Sequence, residues 1–282
     1  MKSKRNKTIT VTKEDLSSFP VFEIKNEGLR INNLENNIFF GDSLEETNKL
    51  PNDIIDLIVT DPPYTIRKDF GKGTVSVKEK EFISWCENWI KQCHRILKSN
   101  GSIYICINWE ASSIIESILK KHFTVRNRIT WKRDKGRGAK RNWKNNMEDI
   151  WFATKGDNYT FNLDDVKVKK AVIAPYVDEK GKPKDWQEIN GEKFRMTHPS
   201  NIWTDLTVPF WSMPENTEHP TQKPEKLIER IILASSNEGE LVFDPFMGSG
   251  TTAVVAKKLK RKYLGFEIEK KFYILCQKRL QK

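Results

Sequence analysis

A regular alternation of strand-like and helix-like segments at both ends of the chain leaves few folds open. Residues 37–41 and 56–60 are short apolar runs of the kind found in buried parallel strands. Residues 80–98 place apolar side chains at helical spacing, and Asn100-Gly101 is predicted to end that helix. The same pattern predicts strands over 102–107, 124–131, 241–243 and 263–266, and helices over 111–121, 224–235, 251–259 and 270–280. Such alternation predicts a doubly wound, mostly parallel α/β sheet with right-handed crossovers.

The alternation stops in the middle of the chain. Residues 132–218 are polar, basic and scattered with aromatic side chains, so we expect a mostly irregular insertion there. Residues 1–36 are polar and turn-rich and form a predicted N-terminal lead-in. The sequence therefore predicts one α/β domain in two halves, 37–131 and 219–282, separated by the insertion.

Charge and composition exclude several classes of protein. The chain has 49 Lys and Arg against 38 Asp and Glu, a net charge of +11, which favours a polyanionic partner. No apolar run approaches the ~20 residues that span a bilayer, and the N-terminus has no apolar signal segment. The four cysteines form no CxxC pair and no cluster with histidine, so we expect neither disulfides nor a metal site. These features predict a reduced, cytoplasmic protein without membrane contact.

A glycine-rich turn follows the predicted strand 241–243. Its sequence is Asp244-Pro-Phe-Met-Gly-Ser-Gly-Thr-Thr252, and Gly248 and Gly250 would let a ligand approach the backbone closely. Glu267 ends the next strand, where such folds place an acid on ribose hydroxyls. A glycine turn can also be only a tight connection, but Glu267 favours a nucleotide ligand. The turn lacks the complete NAD and P-loop patterns, so NAD and nucleoside triphosphates are disfavoured.

A second motif, Asp61-Pro-Pro-Tyr64, follows the predicted strand 56–60. It stands beyond the carboxyl end of a strand, where open α/β sheets bind ligands. The two prolines stiffen the turn and fix the directions of their carbonyls. A carboxylate, a fixed carbonyl and an aromatic ring together suit a planar base that carries an amino group. The alternative is a simple Pro-Pro turn.

The two motifs together resemble the amino-methyltransferases of restriction–modification systems, which use S-adenosylmethionine to methylate adenine N6 or cytosine N4. The segment His219-Pro-Thr-Gln-Lys-Pro224 resembles the family motif that precedes the cofactor strand. The order of the motifs is similar to the β class, whose sheet is a circular permutation of the common methyltransferase sheet. The resemblance covers 37–282 apart from much of 156–210. It implies a catalytic half (37–131), a target-recognition insertion (132–218) and a cofactor-binding half (219–282).

The resemblance also implies a role for individual residues. The implied cofactor-binding residues are Asp42, Asp61, His219, Thr221, Lys223, Asp244, Phe246, Gly248, Gly250, Thr251 and Glu267. Of these, Glu267 would hold the ribose, Asp42 the adenine, and Lys223 the carboxylate of the methionine end. The implied catalytic residues are Asp61, Pro62, Pro63 and Tyr64.

An exocyclic amine is a poor nucleophile because its lone pair is delocalised into the ring. Hydrogen bonds from its N–H groups to Asp61 and to the Pro62 carbonyl would free that lone pair, while Tyr64 would stack on the base. Such a mechanism depends on positioning and electrostatics, without a covalent enzyme intermediate. The target base must leave the duplex to reach the pocket.

The basic start of the insertion predicts the DNA-binding surface. Its cations flank Gly136 and Gly138, with Trp131 and Trp143 nearby, and cations neutralise phosphates. The predicted DNA-binding residues are Lys132, Arg133, Lys135, Arg137, Lys140, Arg141 and Lys144. A solvated charged loop is the alternative.

The sequence therefore predicts a site-specific methyltransferase that acts on adenine N6 in double-stranded DNA. Asp61 favours adenine, since cytosine-N4 members more often have Ser at that position, and the stretch 129–142 is similar to adenine-modifying members. Cytosine N4 is the nearest alternative. An RNA or protein amide methyltransferase and a non-catalytic DNA-binding module are more distant ones. A cognate restriction endonuclease and a homodimer are further expected partners.

Overall fold

The computed structural model describes residues 5–24, 31–64, 79–133, 140–173 and 176–282. The helices are α1 (Lys13–Ser18), α2 (Ile31–Leu34), α3 (Ser43–Lys49), α4 (Glu79–Ile96), α5 (Trp109–His122), α6 (Glu225–Ser235), α7 (Thr251–Lys258) and α8 (Lys270–Leu280). The strands are β1 (Asn37–Phe40), β2 (Ile55–Thr60), β3 (Leu97–Ile107), β4 (Thr124–Lys132), β5 (Met147–Thr154), β6 (Val168–Ala171), β7 (Gln187–Ile189), β8 (Glu192–Thr197), β9 (Ile202–Trp203), β10 (Leu241–Asp244) and β11 (Lys262–Glu267).

Within the described ranges, eight strands form the main sheet in the order β1-β11-β10-β2-β3-β5-β4-β9. Neighbouring strands in the run β1-β11-β10-β2-β3 pair in parallel, whereas β5 pairs antiparallel with both β3 and β4. The first strand, β1, lies beside the last, β11, as expected for a circularly permuted sheet. After β10 the chain continues to β11 on one side of the β10-β2 pair, and after β2 it continues to β3 on the other side. These two neighbours therefore form the topological switch point, where doubly wound folds bind ligands.

Helices cover both faces of this sheet, because side chains in its buried strands alternate between two apolar layers. In β2, Ile58 packs into the layer that contains α4 and α5. Its neighbours Leu57 and Val59 pack into the layer of α6, α7 and α8. The predicted doubly wound, mostly parallel α/β fold is confirmed. In the part of the chain that the structure describes, no helix combines the length and apolarity needed to span a membrane.

The boundary after the first long helix differs from the prediction. Helix α4 ends at Ile96 and β3 begins directly at Leu97, so Asn100-Gly101 lies within the strand. The pairing of β3 with β2 shifts register over this stretch. A side chain at Gly101 would meet the Asp56 carbonyl oxygen at 2.9 Å. The glycine therefore permits close approach to β2 and does not cap the helix.

The prediction of an irregular insertion beginning at residue 132 is wrong in part. Strand β5 falls inside the predicted 132–218 interval, yet it lies between β3 and β4 in the main sheet. The acids Glu148 and Asp149 interrupt its apolar pattern, although both side chains are buried. A separate three-stranded antiparallel sheet, in the order β6-β8-β7, occupies the later part of the interval. The target-recognition role of this part stays a prediction.

The polar lead-in is better packed than its composition indicates. Helix α1 begins with a capping box in which Thr12 and Asp15 bond each other's backbone N–H groups. Asp15 also forms an ion pair with Lys278 of α8 at 2.5 Å. Ile9 is buried and bonds the backbone at Asn216. These contacts fasten the lead-in to α8 and to the last residues of the 132–218 interval.

Candidate active site

A cleft of about 720 Å³ opens at the carboxyl ends of β2 and β10, at the switch point of the sheet. It receives side chains from the two predicted motifs and from the segment that precedes α6. The predicted site residues that line it are Asp42, Asp61, Pro62, Pro63, His219, Thr221, Lys223, Asp244, Phe246, Gly248, Thr251 and Glu267. Tyr64 and Gly250 are not among the lining residues. Segments distant in the sequence thus meet where the fold favours ligand binding.

Asp244 holds the glycine-rich turn in place through hydrogen bonds to its carboxylate. Its Oδ1 accepts hydrogen bonds from Thr60 Oγ1 (2.9 Å) and from the Phe246 N–H (3.0 Å). Its Oδ2 accepts one from Thr252 Oγ1 at 2.7 Å. Burial raises the pKa of Asp244 to about 6, although these hydrogen bonds act in the opposite direction. The carboxylate therefore joins β2, the turn and α7 at one point.

The two glycines of the turn have different surroundings. Both have a positive φ, +55° at Gly248 and +77° at Gly250. The Gly248 N–H donates to Glu267 Oε2 at 2.7 Å, and the His219 ring packs closely against the Gly248 Cα. Gly250 instead caps α7 and packs against Cys276 of α8. Its role in the structure is to hold the turn against the domain, whereas the predicted role was ligand contact.

Replacement of Gly250 by alanine is expected to destabilise the protein by about 2 kcal/mol. The left-handed backbone disfavours a side chain, and the new Cβ would lie 3.0 Å from Cys276 Sγ. Urea unfolding measures the change. Gly239→Ala is the matched control, because Gly239 has φ +82° but a Cβ added there would have no atom within 4 Å. An equal loss of stability in the two variants would show that the Cys276 contact contributes nothing.

Glu267 lies at the rim of the turn and accepts two backbone hydrogen bonds. Oε2 accepts from Gly248 N–H at 2.7 Å, and Oε1 from Glu269 N–H at 2.8 Å. Burial raises the pKa of Glu267 to about 7, against the effect of these two bonds. A buried carboxylate on a ligand-facing strand end suits hydroxyl groups as hydrogen-bond donors.

Aromatic side chains form one wall of the cleft. The Phe246 ring lies 5.4 Å from that of Trp85 and 5.5 Å, edge-on, from that of Trp89. Trp85 also lines the cleft, which the helical spacing of residues 80–98 did not indicate. Asp42 also lines the cleft, and it caps α3 by accepting a hydrogen bond from the Leu44 N–H at 2.8 Å. The aromatic wall and the Asp42 carboxylate together suit a flat ring with a polar edge.

Asp61 stands directly after β2, and both of its carboxylate oxygens have partners. The Tyr64 hydroxyl donates to Oδ1, and Lys223 Nζ donates to Oδ2 at 2.6 Å. Lys223 also donates to the Tyr64 hydroxyl at 2.7 Å. Burial, together with the negative charges of Asp61 and Glu148, raises the pKa of Tyr64, so this phenol stays protonated. The structure thus places Lys223 on Asp61 in the catalytic motif, whereas the sequence predicted contact with the cofactor.

Two residues extend this cluster beyond the predicted catalytic set. Glu148 on β5 lies 3.5 Å from Lys223 through Oε2 and 3.2 Å from Arg133 through Oε1. Burial favours the neutral form of Lys223, but the charges of Asp61 and Glu148 outweigh it and raise the Lys223 pKa. Since β5 is antiparallel to β3, its first residues reach the same edge as Asp61. Without a prediction of β5, no signal in the sequence pointed to Glu148.

The basic segment between β4 and β5 leaves the sheet at the edge that carries the cleft. Lys132, Lys140, Arg141 and Lys144 are exposed, and Arg133 is half-buried on Glu148. Lys135 and Arg137 lie outside the described residues. Trp131 is buried and donates to the Leu206 carbonyl, whereas Trp143 is 92% exposed. The DNA contact predicted for this segment remains a prediction.

Comparison with known proteins identifies the family. The family model described as DNA methylase matches residues 55–278. The chain is 40% identical to the DNA adenine methyltransferase YhdJ of Escherichia coli (strain K12), over 90% of this chain and 85% of that protein. It is 34% identical to the Type II methyltransferase M.HpaI of Haemophilus parainfluenzae, over 88% and 74%.

Two solved structures are similar to this chain in fold. The M1.HpyAVI–SAM complex has a TM-score of 0.57 at 26% identity and covers 87% of this chain and 98% of that one. The cytosine-N4-specific PvuII DNA methyltransferase has a TM-score of 0.65 at 19% identity, over 86% and 85%, and shows the fold alone. The family match and the two relatives together establish that the chain belongs to the DNA methylase family.

Proposed function

We propose that this protein transfers a methyl group from S-adenosylmethionine to adenine N6 at specific sites in double-stranded DNA. The observation that carries the proposal is the junction of two motifs in one cleft. Thr60 Oγ1 donates to Asp244 Oδ1 at 2.9 Å, and Asp61 follows Thr60 directly. The acceptor for an amine therefore lies beside the turn that suits a nucleoside-like cofactor.

The donor set of the cleft fits S-adenosylmethionine. Glu267 would bind the ribose hydroxyls, Asp42 the edge of the adenine, and the Phe246–Trp85 wall its ring face. A Cβ added at Gly248 would lie 3.2 Å from His219 Nε2, so glycine at this position lets His219 pack closely against the turn that lines the cleft. When bound, the cofactor supplies an electrophilic methyl group on a sulfonium.

The chain's own residues would bind and orient the target amine. Asp61 and the Pro62 carbonyl would accept its two N–H hydrogen bonds and draw the nitrogen toward tetrahedral geometry. The lone pair would then point at the methyl group for in-line attack. The increase in rate would come from the positions of the reacting groups and from fixed charges. Tyr64, hydrogen-bonded to Asp61, would orient this carboxylate; its stacking on the base remains a prediction.

Adenine is favoured over cytosine as the target. The relative with 40% identity is named a DNA adenine methyltransferase, whereas the cytosine-N4-specific neighbour has only 19% identity. The acid at position 61 agrees with adenine. The exposed cations next to the cleft favour DNA over a protein substrate, and the intact motifs disfavour a non-catalytic binding module.

A restriction–modification context is part of this proposal. M.HpaI and M.BglII, at 34% identity each, are named Type II methyltransferases. A cognate endonuclease and a homodimer stay predictions.

The test is direct. Purified protein is incubated with S-adenosylmethionine and unmethylated plasmid, and the hydrolysed DNA is analysed by mass spectrometry. We expect N6-methyladenine, whose positions sequencing then maps to one recognition site. N4-methylcytosine would overturn the choice of base, and an unmodified plasmid would overturn DNA as the substrate.

A further inference from the structure

The Lys223 ammonium lies between the buried carboxylate of Glu148 and the half-buried carboxylate of Asp61, and the proposed reaction needs Asp61. Nζ is 2.6 Å from Asp61 Oδ2 and 2.7 Å from the Tyr64 hydroxyl, both hydrogen-bond distances. Its distance to Glu148 Oε2 is 3.5 Å, longer than a normal hydrogen bond. In this arrangement Asp61, and not Glu148, holds the ammonium.

This arrangement competes with the role proposed for Asp61. Oδ1 accepts from Tyr64 and Oδ2 from a full positive charge, which weakens both as acceptors for a neutral amine. An adenine amino group that enters the cleft needs a strong acceptor at Asp61. Release of Lys223 from Oδ2 would strengthen Asp61 as an acceptor, and a buried ammonium that leaves one carboxylate needs another anionic partner.

Glu148 offers that partner. Its side chain is 3% exposed, and Oε1 is occupied by Arg133 at 3.2 Å. Oε2 is buried and accepts no hydrogen bond from any residue that the structure describes. Buried acceptors without a donor are unfavourable and rare, so this oxygen can accept a hydrogen bond from a donor that moves toward it. A movement of Nζ by roughly 1 Å would bring it within hydrogen-bond distance of Oε2.

We propose that Glu148 is a positioning residue for methyl transfer: it takes over the Lys223 ammonium when the target base enters, and thereby releases Asp61 Oδ2 for the base amino group. This inference rests on the proposed function. It also links DNA binding to the site, because Arg133, at the start of the basic segment, holds the other oxygen of Glu148.

The test is Glu148→Gln, which keeps the shape of the side chain and removes its charge. We expect the single-turnover methylation rate at saturating DNA and cofactor to fall about tenfold, the effect of losing one charge-assisted hydrogen bond. A duplex that keeps adenine at the mapped target position and carries 2-aminopurine beside it should show a smaller fluorescence rise, because the adenine leaves the base stack less often. Affinity for S-adenosylmethionine should stay within about twofold, and Glu148→Asp should restore part of the rate.

Asp149→Asn is the matched control. Asp149 is the neighbouring buried acid of β5, but it accepts a hydrogen bond from Ser112 at 2.6 Å on the other face of the sheet. This variant should lose stability and keep both the rate and the fluorescence response.

Several outcomes would overturn the inference. One is a wild-type rate in Glu148→Gln; another is a lower rate with a normal 2-aminopurine response, since the base would then enter without the charge of Glu148. If Glu148→Gln does not fold, a structure of the wild-type protein with its mapped duplex decides. Nζ must then lie nearer to Glu148 Oε2 than to Asp61 Oδ2. Absence of N6-methyladenine with wild-type protein would overturn the proposed function first, and this inference with it.

Discussion

Replacement of Asp61 by alanine is expected to lower the rate of methyl transfer by about two to three orders of magnitude. In our proposal Asp61 accepts the hydrogen bond of the target amine, and alanine leaves that position empty. The variant also removes the 2.6 Å partner of Lys223. Glu148 remains 3.5 Å from the ammonium, so the lysine keeps a carboxylate and the fold should survive. Single-turnover kinetics with labelled cofactor measure the rate.

Asp61→Asn separates charge from shape in this experiment. The amide can still accept one hydrogen bond through its oxygen, but it no longer attracts the ammonium. We expect a smaller loss of rate than with alanine and a similar affinity for S-adenosylmethionine. A wild-type rate in Asp61→Ala would contradict the mechanism. A loss of cofactor binding equal to the loss of rate would instead mean that Asp61 acts on the cofactor.

The parts of the fold that the sequence predicted are those with one strong periodic signal. The helix predicted over 270–280 is α8 (Lys270–Leu280), and the strand predicted over 56–60 is β2 (Ile55–Thr60). Strand β5 was missed because Glu148 and Asp149 interrupt its apolar run. Each buried acid has a partner that is distant in the sequence: Lys223 for Glu148 and Ser112 for Asp149. Local periodicity cannot show a long-range partner.

The same limit explains which site residues could be predicted. Asp61 and Asp244 could be placed because each follows a strand, and strand ends at a switch point face one cleft. The position of Lys223 on Asp61 depends on how the segment before α6 crosses the cleft, which no spacing in the sequence gives. Gly250 was grouped with Gly248 by the motif, yet only the packing of α8 separates their roles.

Replacement of Glu267 by glutamine is expected to weaken S-adenosylmethionine binding about ten- to a hundredfold at pH 8, the value of lost charge-assisted hydrogen bonds. The carboxylate is the ribose acceptor in our proposal, and it also accepts from Gly248 and Glu269 N–H groups. The glutamine amide has only one oxygen that can accept from these N–H groups and from the ribose hydroxyls. The substitution therefore removes an acceptor from the turn as well as from the cofactor. Isothermal titration calorimetry across pH measures the affinity.

Protonation of Glu267 should affect folding and cofactor binding differently. Burial raises the pKa of Glu267 from 4.5 to about 7, so the folded protein holds this proton more tightly than the unfolded chain does. Its contribution to folding stability therefore rises as pH falls from about 7 toward 4.5. Hydroxyl donors need the ionised carboxylate, so cofactor affinity should fall over the same pH range.

Stability and cofactor affinity thus change in opposite directions in the wild-type protein, and Glu267→Gln should remove the Glu267 part of both changes. Asp244, with a pKa raised to about 6, remains in the variant and gives its own stability change at lower pH. Urea unfolding across the same pH range separates the two carboxylates. Cofactor affinity that is constant from pH 8 to pH 5.5 in the wild type would contradict a role for ionised Glu267 at the ribose. Because the fold places this carboxylate on the turn and away from water, its burial costs stability at neutral pH, and in our proposal the same carboxylate is the acceptor for the cofactor ribose.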